Sequence, residues 1–442
     1  MLDRTVIHQT IPYKPRTYFL PFHNRTQRFA CIVAHRRAGK TVATLNDLVR
    51  AALSSDQNRS LYAYIAPTYA QAKATVFDYL MEAAAPLLAF GAKINQSELK
   101  ADFPNGSTVR LFGADNYNTL RGLRFDGVVL DEFADFDPRA WTQVIRPALS
   151  DRRGFAIFIG TPRGHNHFYD VYRDACKSPD EWYTASLKAS DLVPQNDLDP
   201  EARTRNLLTT DELDHARKQM SDEWYAQEYE CDFEAANPGA YYGKQMADAQ
   251  KTGRIGAYPW FPDRQVYTAW DIGGDRDATA IWFAQLQGKA VYLIDYIEET
   301  GYDSSPYAKA ILEKPYSYAQ HFLPHDAGPN RTGIDRNYTD FLRDHGLRGI
   351  TLLPSGIREH GINTTRLLLP RCSFDSVKCD LGIEALRMYQ TEWDEKNKTF
   401  KATPKHDWAS HGADAFRYLA VALDRHVSSP SFNRKLNYPK GF

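Results

Sequence analysis

Ala34-His35-Arg36-Arg37-Ala38-Gly39-Lys40-Thr41 decides the fold of the first half of this chain. An apolar run, Phe29-Ala30-Cys31-Ile32-Val33, comes before it, and Leu45, Leu48, Val49 and Ala52 follow at helical spacing. Buried strand, tight loop, then helix is the context of a phosphate-binding loop, in which backbone N–H groups and a helix N-terminus cradle a phosphate. In that reading Arg36, Arg37, Ala38 and Gly39 shape the loop, Lys40 reaches the β- and γ-oxygens, and the Thr41 hydroxyl ligates Mg²⁺. Ala34 stands where the usual G-x-x-x-x-G-K-[ST] pattern has its first glycine.

Further along, Val128-Val129-Leu130-Asp131-Glu132 supplies the complement, an apolar strand ending in two acids. Asp131 is placed to hold the Mg²⁺ shell beside Thr41, leaving Glu132 to polarise an attacking water. Arg121 precedes this strand and is a candidate arginine finger, and Arg36 is a second candidate for sensing a γ-phosphate. Ile159-Gly160-Thr161-Pro162 ends another apolar run with a hydroxyl, and Thr161 is the candidate that reports phosphate state.

The 442 residues, 43% hydrophobic and 25% charged, suit two globular cores. No run approaches the roughly 20 apolar residues of a membrane span, and the start of the chain has no signal-peptide pattern. Five cysteines without a C-x-x-C pair point to a reduced cytoplasmic protein lacking structural disulfides or zinc. With a net charge of −1, any DNA contact must come from local basic surface, for which Arg163, Lys188 and the C-terminal tail are candidates.

Apolar runs near 31–34, 61–66, 109–112, 127–130 and 155–159 alternate with helical patterns, predicting α/β with a largely parallel sheet. Residues 1–234 form the first domain, with a helical lid near 190–232 in which Thr209 and Glu212 suit a capping box. A linker is expected over 235–262, a second α/β domain over 263–425 and a basic tail over 426–442. The second domain opens with a strand over 266–270, then a hairpin around Gln287-Gly288. Strands near 321–323 and 350–353 follow, and a helix over 409–424 ends it.

Acids again close predicted strands here: Asp271 ends the first and Asp326 another, and Asp414 falls in the first turns of the last helix. Three such carboxylates can hold two Mg²⁺ or Mn²⁺ ions that activate a water and stabilise a leaving 3′-oxygen. Asp275, Asp277, Asp295 and Asp407 are alternative ligands. His325 and His411 adjoin the acids as structural or proton-shuttling groups. Strand order, hairpin and terminal acid together resemble the ribonuclease H nuclease fold.

A P-loop (RecA/ASCE-like) ATPase domain followed by a ribonuclease H-like domain resembles the large terminase subunit of tailed bacteriophages. The resemblance runs from about residue 20 to 425. It rests on Arg36–Thr41, Tyr64–Tyr69 with Gln71-Ala72-Lys73, Leu130–Glu132, Gly160–Pro162, Gln227–Phe233 and the three nuclease segments. It implies an ATP-driven motor that packages viral double-stranded DNA and cleaves the concatemer. Lys40, Thr41, Asp131, Glu132, Arg36, Arg121 and Thr161 match its ATPase positions; Asp271, Asp326 and Asp414 match its nuclease triad. The resemblance also implies a finger acting on a neighbouring subunit and a monomer that becomes a homo-oligomeric ring, expected to be a pentamer, when docked. Its partners would be the portal protein of the procapsid and a small terminase subunit. Its place would be the host cytoplasm and, transiently, the portal vertex. Gln9 and Gln27 are possible adenine contacts.

A helicase-nuclease of repair or defence is the competing reading. It would carry a second RecA-like domain with its own nucleotide loop, where this sequence has strand-end acids. A third is an ATP-gated assembly protein with an inactive nuclease fold, against which the three acids speak.

Overall fold

The computed structural model describes residues 11, 13–57, 59–196, 198, 207–233, 239–273, 277–300, 304–327, 338–355, 358–394 and 399–428. They form two compact units divided after Pro238.

The first unit is built on eight strands: β1 (Phe29–Ala34), β2 (Leu61–Ala66), β3 (Lys93–Asn95), β4 (Lys100–Asp102), β5 (Thr108–Gly113), β6 (Gly127–Asp131), β7 (Phe155–Gly160) and β8 (Trp182–Leu187). Their order is β3-β4-β5-β2-β6-β7-β1-β8, with β5 through β8 parallel and β3-β4-β5 antiparallel at one edge. Every residue of β1 and β6 is buried, which explains why they read as continuous apolar runs and not as alternation. Cores on both faces cover the sheet: Leu45, Leu48 and Tyr64 belong to one, Phe133, Phe158 and Phe168 to the other. The expected strands all form, and β3, β4 and β8 join them. β3 and β4 are three residues each, too short to show a period, and β8 is only half-buried. Helices over Ala189–Asn196, Thr210–Gln219 and Asp222–Tyr229 occupy the lid segment, and the Thr209 side chain accepts from Glu212 N–H.

The second unit begins inside the stretch read as a linker. Residues 239–262 carry a helix over Gly243–Lys251, whose Met246 and Ala249 are buried, and a strand, β9 (Ile255–Gly256). Small residues and Pro238-Gly239 give this stretch a loop's composition. Its buried face has too few large side chains to show a period. The sheet adds β10 (Val266–Asp271), β11 (Ala278–Gln287), β12 (Ala290–Thr300), β13 (Tyr318–Leu323), β14 (Ile350–Leu352) and β15 (Cys372–Asp375), ordered β14-β13-β10-β11-β12-β15-β9. An antiparallel meander, β10-β11-β12, extended by parallel β13 and β14 beside β10, is the ribonuclease H arrangement. The last helix, Trp408–Ser428, lies on this sheet through Ala413, Phe416, Leu419 and Ala420, which pack with Trp282, Tyr296 and Phe374. A separate hairpin, β16 (Thr391–Asp394) with β17 (Thr399–Pro404), precedes it. The expected tail lies outside the described residues from 429 onward. Among the described residues no helix is long and apolar enough to cross a membrane.

Candidate functional site

In the first unit the adjacent parallel strands β6, β7 and β1 end side by side, with Asp131 in register with Ile159 and Val33 with Gly160. That brings the loop after β1, the acids closing β6 and Thr161 after β7 to one crevice at the carboxyl edge of the sheet. The helix beginning at Lys40 has Gly39 in the left-handed region at its N-cap (φ 88°). Arg37 is also left-handed (φ 70°), a conformation costly for a residue with a side chain. Ala34 is fully buried at the end of β1, contributing to the sheet core rather than to the loop's turn.

Lys40 Nζ lies 2.9 Å from Glu132 Oε1. The other oxygen, Oε2, accepts from Thr161 N (3.2 Å) and Thr161 Oγ1 (3.3 Å). Glu132 itself is left-handed (φ 51°), an observed strain at the point where its carboxylate turns back to the loop. Asp131 Oδ2 accepts from Tyr64 OH at 2.7 Å, whereas Oδ1 is buried with no hydrogen-bond partner. Burial, then the neighbouring Glu132, pushes the Asp131 carboxyl up to about 6. Burial acts to raise Glu132 too, but the Lys40 ammonium holds it below the usual carboxylate range. Burial pulls Lys40 down, and Glu132 and Asp131 together outweigh it and raise it. A buried carboxylate oxygen without a hydrogen-bond partner, on an acid whose charged form burial disfavours, fits a divalent cation.

Arg36 N–H donates to Glu228 O (2.7 Å), and its guanidinium stands 4.0 Å from the Glu228 carboxylate, so the lid helix Asp222–Tyr229 touches the loop directly. Arg121 is exposed and donates to Asn118 Oδ1 (2.9 Å), apart from the Lys40–Glu132 group. Arg163, expected as a DNA contact, is instead three-quarters buried against Asp135 (3.2 Å), with Glu228 and Glu132 close enough to stabilise its charge. Lys188 is exposed after β8. Gln27 precedes β1, at the opposite end from the loop, and its amide donates to Pro179 O. Gln9 lies outside the described residues. Tyr64 and Glu228 fall within segments that carry the resemblance, though with no role attached to either, and the loop-facing Arg16 carries no motif signal. Their contacts come from β2, the lid and the segment before β1, which only folding brings together.

The second unit regroups the expected nuclease acids. Asp271, at the end of β10, meets His411 of the last helix (Oδ2 to Nδ1, 3.3 Å). Burial, with a contribution from Asp414, raises the Asp271 carboxyl. Burial opposes the His411 imidazolium, but Asp271 prevails and raises it, so the pair favours holding a proton between them. A cation could take that proton's place. The ligand atoms of His411, His406 and Asp277 all lie within 4.8 Å of one another, forming a mixed nitrogen and oxygen donor set. Asp326 has its backbone in the turn His325–Ala327 after β13, next to β10, and its side chain lies outside the described residues.

Asp414, expected as the third acid, is close enough to Asp271 to help raise its carboxyl and has two partners of its own. Its Oδ1 accepts from Arg417 Nη1 (2.6 Å) and Tyr389 OH (2.8 Å). One turn separates it from His411, so the two share a face of the helix, and the Asp414 charge acts on Asp271 while its carboxylate also pairs with the buried Arg417. Asp295 is likewise committed, to Lys314 (2.6 Å) and Tyr316 (2.8 Å). Asp407 accepts from Ala409 N–H at the start of the last helix. Asp275 lies outside the described residues.

A family model described as the N-terminal part of the T4-like-virus type of terminase large subunit matches residues 31–247. The terminase large subunit of Escherichia phage T5 is 25% identical over 350 residues, 75% of this chain and 73% of that protein. The terminase large subunit of Thermus virus P23-45 is 30% identical over 184 residues, 37% of each chain. The crystal structure of the HK97 bacteriophage large terminase aligns over 93% of this chain and 95% of its own at 14% identity, with a TM-score of 0.43. With the nucleotide-loop crevice in one unit and the ribonuclease H sheet in the other, the chain belongs to the large terminase family of bacteriophages.

Proposed function

We propose that this chain is the ATP-driven motor that packages double-stranded DNA, and that its second unit cuts that DNA by metal-dependent phosphodiester hydrolysis. The observation that carries the motor reading is Glu132, bridged between Lys40 on one oxygen and Thr161 on the other. Lys40 must leave Glu132 to meet the β- and γ-phosphates. Thr161 then keeps the carboxylate aimed, so Glu132 can take a proton from the attacking water. Nucleotide arrival at β1 is thereby felt at the end of β7. Bound Mg²⁺ would neutralise phosphate charge, and Thr41 with the unpartnered Asp131 oxygen would hold it. Arg36 is the candidate sensor within the subunit, and exposed Arg121 the finger for a neighbouring subunit of a pentameric ring.

For the nuclease, Asp271, Asp277, His406 and His411 would hold the metal, with Asp326 beside them. Imidazole ligands favour Mn²⁺ more than an all-oxygen Mg²⁺ site would. A metal held there would supply an activated water and stabilise the leaving oxygen. Portal protein, a small terminase subunit and procapsid would be met in the host cytoplasm, the free chain being monomeric.

The test is protection of DNA from added nuclease in the presence of procapsids, small subunit and ATP. The expected outcome is protection by wild type and by Asp326→Asn on pre-cut linear DNA, and none by Lys40→Ala. ATP-dependent strand separation without protection would overturn the reading in favour of a helicase-nuclease.

A further inference from the structure

Arg16 lies well upstream of the phosphate-binding loop, yet its guanidinium rests on it. Nη1 donates to Ala38 O (2.7 Å), to Arg37 O (2.9 Å) and to Tyr18 OH (2.9 Å), and Tyr18 OH donates in turn to Ala38 O (2.9 Å). A β-carbon at Gly39 would stand 3.1 Å from Arg16 Cζ, so the guanidinium covers the loop's glycine face to face. The carbonyl and N–H of one trans peptide point in opposite directions. Holding the Ala38 carbonyl from this side therefore aims the Gly39 N–H to the other. The preceding peptide is fixed from both sides, because Ala38 N–H donates to His35 O (3.1 Å) while Arg37 O faces Arg16. The loop needs such outside support: Arg37 sits in the left-handed region without being glycine, and Ala34 occupies the first glycine's place inside β1.

We infer that Arg16, with Tyr18, is a positioning residue that pre-orients the phosphate-binding loop, so that nucleotide binds to amides already aimed at its phosphates. The inference rests on the nucleotide-site reading above. It assigns Arg16 a role in affinity and none in the chemical step, since its contacts are to the back of the loop and not to the Lys40–Glu132–Thr161 group.

The experiment is titration of a fluorescent ATP analogue, with steady-state ATP hydrolysis, on the full chain carrying Arg16→Gln, Arg16→Lys, Tyr18→Phe or Lys40→Ala. Arg16→Gln should weaken binding about tenfold and Tyr18→Phe about threefold, the scale of one charge-assisted and one neutral hydrogen bond. Arg16→Lys should recover part of the loss, and kcat at saturating ATP should stay within about twofold of wild type. Wild-type affinity in Arg16→Gln and Tyr18→Phe, or a fall in kcat at unchanged affinity, would overturn the inference. Tyr18→Phe keeps the test open should Arg16→Gln fail to fold. Lys40→Ala separates the two claims: if it binds nucleotide like wild type, the site reading itself fails. If it loses binding while Arg16→Gln keeps it, only the positioning role falls.

Discussion

Gly412→Ala should disable the nuclease while leaving ATP hydrolysis intact. Gly412 sits in the last helix directly over Tyr296. An added β-carbon would lie 2.5 Å from Tyr296 Oη and 2.8 Å from the Ala385 β-carbon, against a normal contact distance that begins at 3.4 Å. The helix must lift by roughly 0.9 Å, or Tyr296 must swing aside. Swinging would abandon Glu298, a buried carboxylate that accepts from the Tyr296 hydroxyl, so lifting is the cheaper response. Trp282 Nε1 resists the lift through its 2.8 Å bond to Gly412 O. His411 moves with the helix, which stretches its 3.3 Å contact with Asp271 past hydrogen-bonding range. Overpacking of this kind costs about 1–3 kcal/mol, reduced by about 1 kcal/mol because alanine is the better helix former. A displacement near 1 Å at a reacting site costs about 100-fold in rate. The assay is Mn²⁺-dependent nicking of supercoiled plasmid, with thermal unfolding and ATP hydrolysis measured on the same preparation. Nicking within about threefold of wild type, with the protein folded, would refute the seating of His411 by this glycine.

Other outcomes follow from the same contacts. Glu132→Gln should bind nucleotide and abolish turnover, since the amide keeps the Thr161 contact but cannot accept a proton; single-turnover hydrolysis checks this. Asp414→Asn should destabilise the second unit by about 2 kcal/mol, because it removes the charge partner of Arg417, which is 4% exposed. Calorimetric Mn²⁺ binding should weaken far more in Asp277→Asn than in Asp414→Asn, and the reverse order would return Asp414 to the metal site. His321 is buried and neutral, its ring pKa pushed down from 6.5 to about 4 by burial. Trp270 Nε1 donates to Thr268 Oγ1, and that hydroxyl shares a 2.7 Å hydrogen bond with His321 Nδ1. The folded pKa lies below the unfolded one, so stability is full above about pH 6.5 and falls as the pH drops toward 4, by about 2 kcal/mol at pH 5. Urea unfolding at pH 7 and pH 5 measures it, and His321→Gln should flatten the dependence.

The strand–loop–helix at Ala34–Thr41, the acids ending Val128–Leu130 and the meander after Gln265 were legible because each is local. Continuous apolar runs mark buried parallel strands, and glycine, lysine and hydroxyl at fixed offsets mark a phosphate loop. The sequence by itself thus determined two α/β units and the strand ends where their polar groups gather. Only the tertiary structure decided which groups meet. Strand order set β7 between β6 and β1, which put Thr161 on Glu132. Packing of the last helix on the sheet set His411 against Asp271 and paired Asp414 with Arg417. Arg16 reached the Ala38 carbonyl across a span no motif records. Hydrophobic period and loop composition act within a few residues, whereas the partner of a buried charge is chosen by packing between elements distant in the chain.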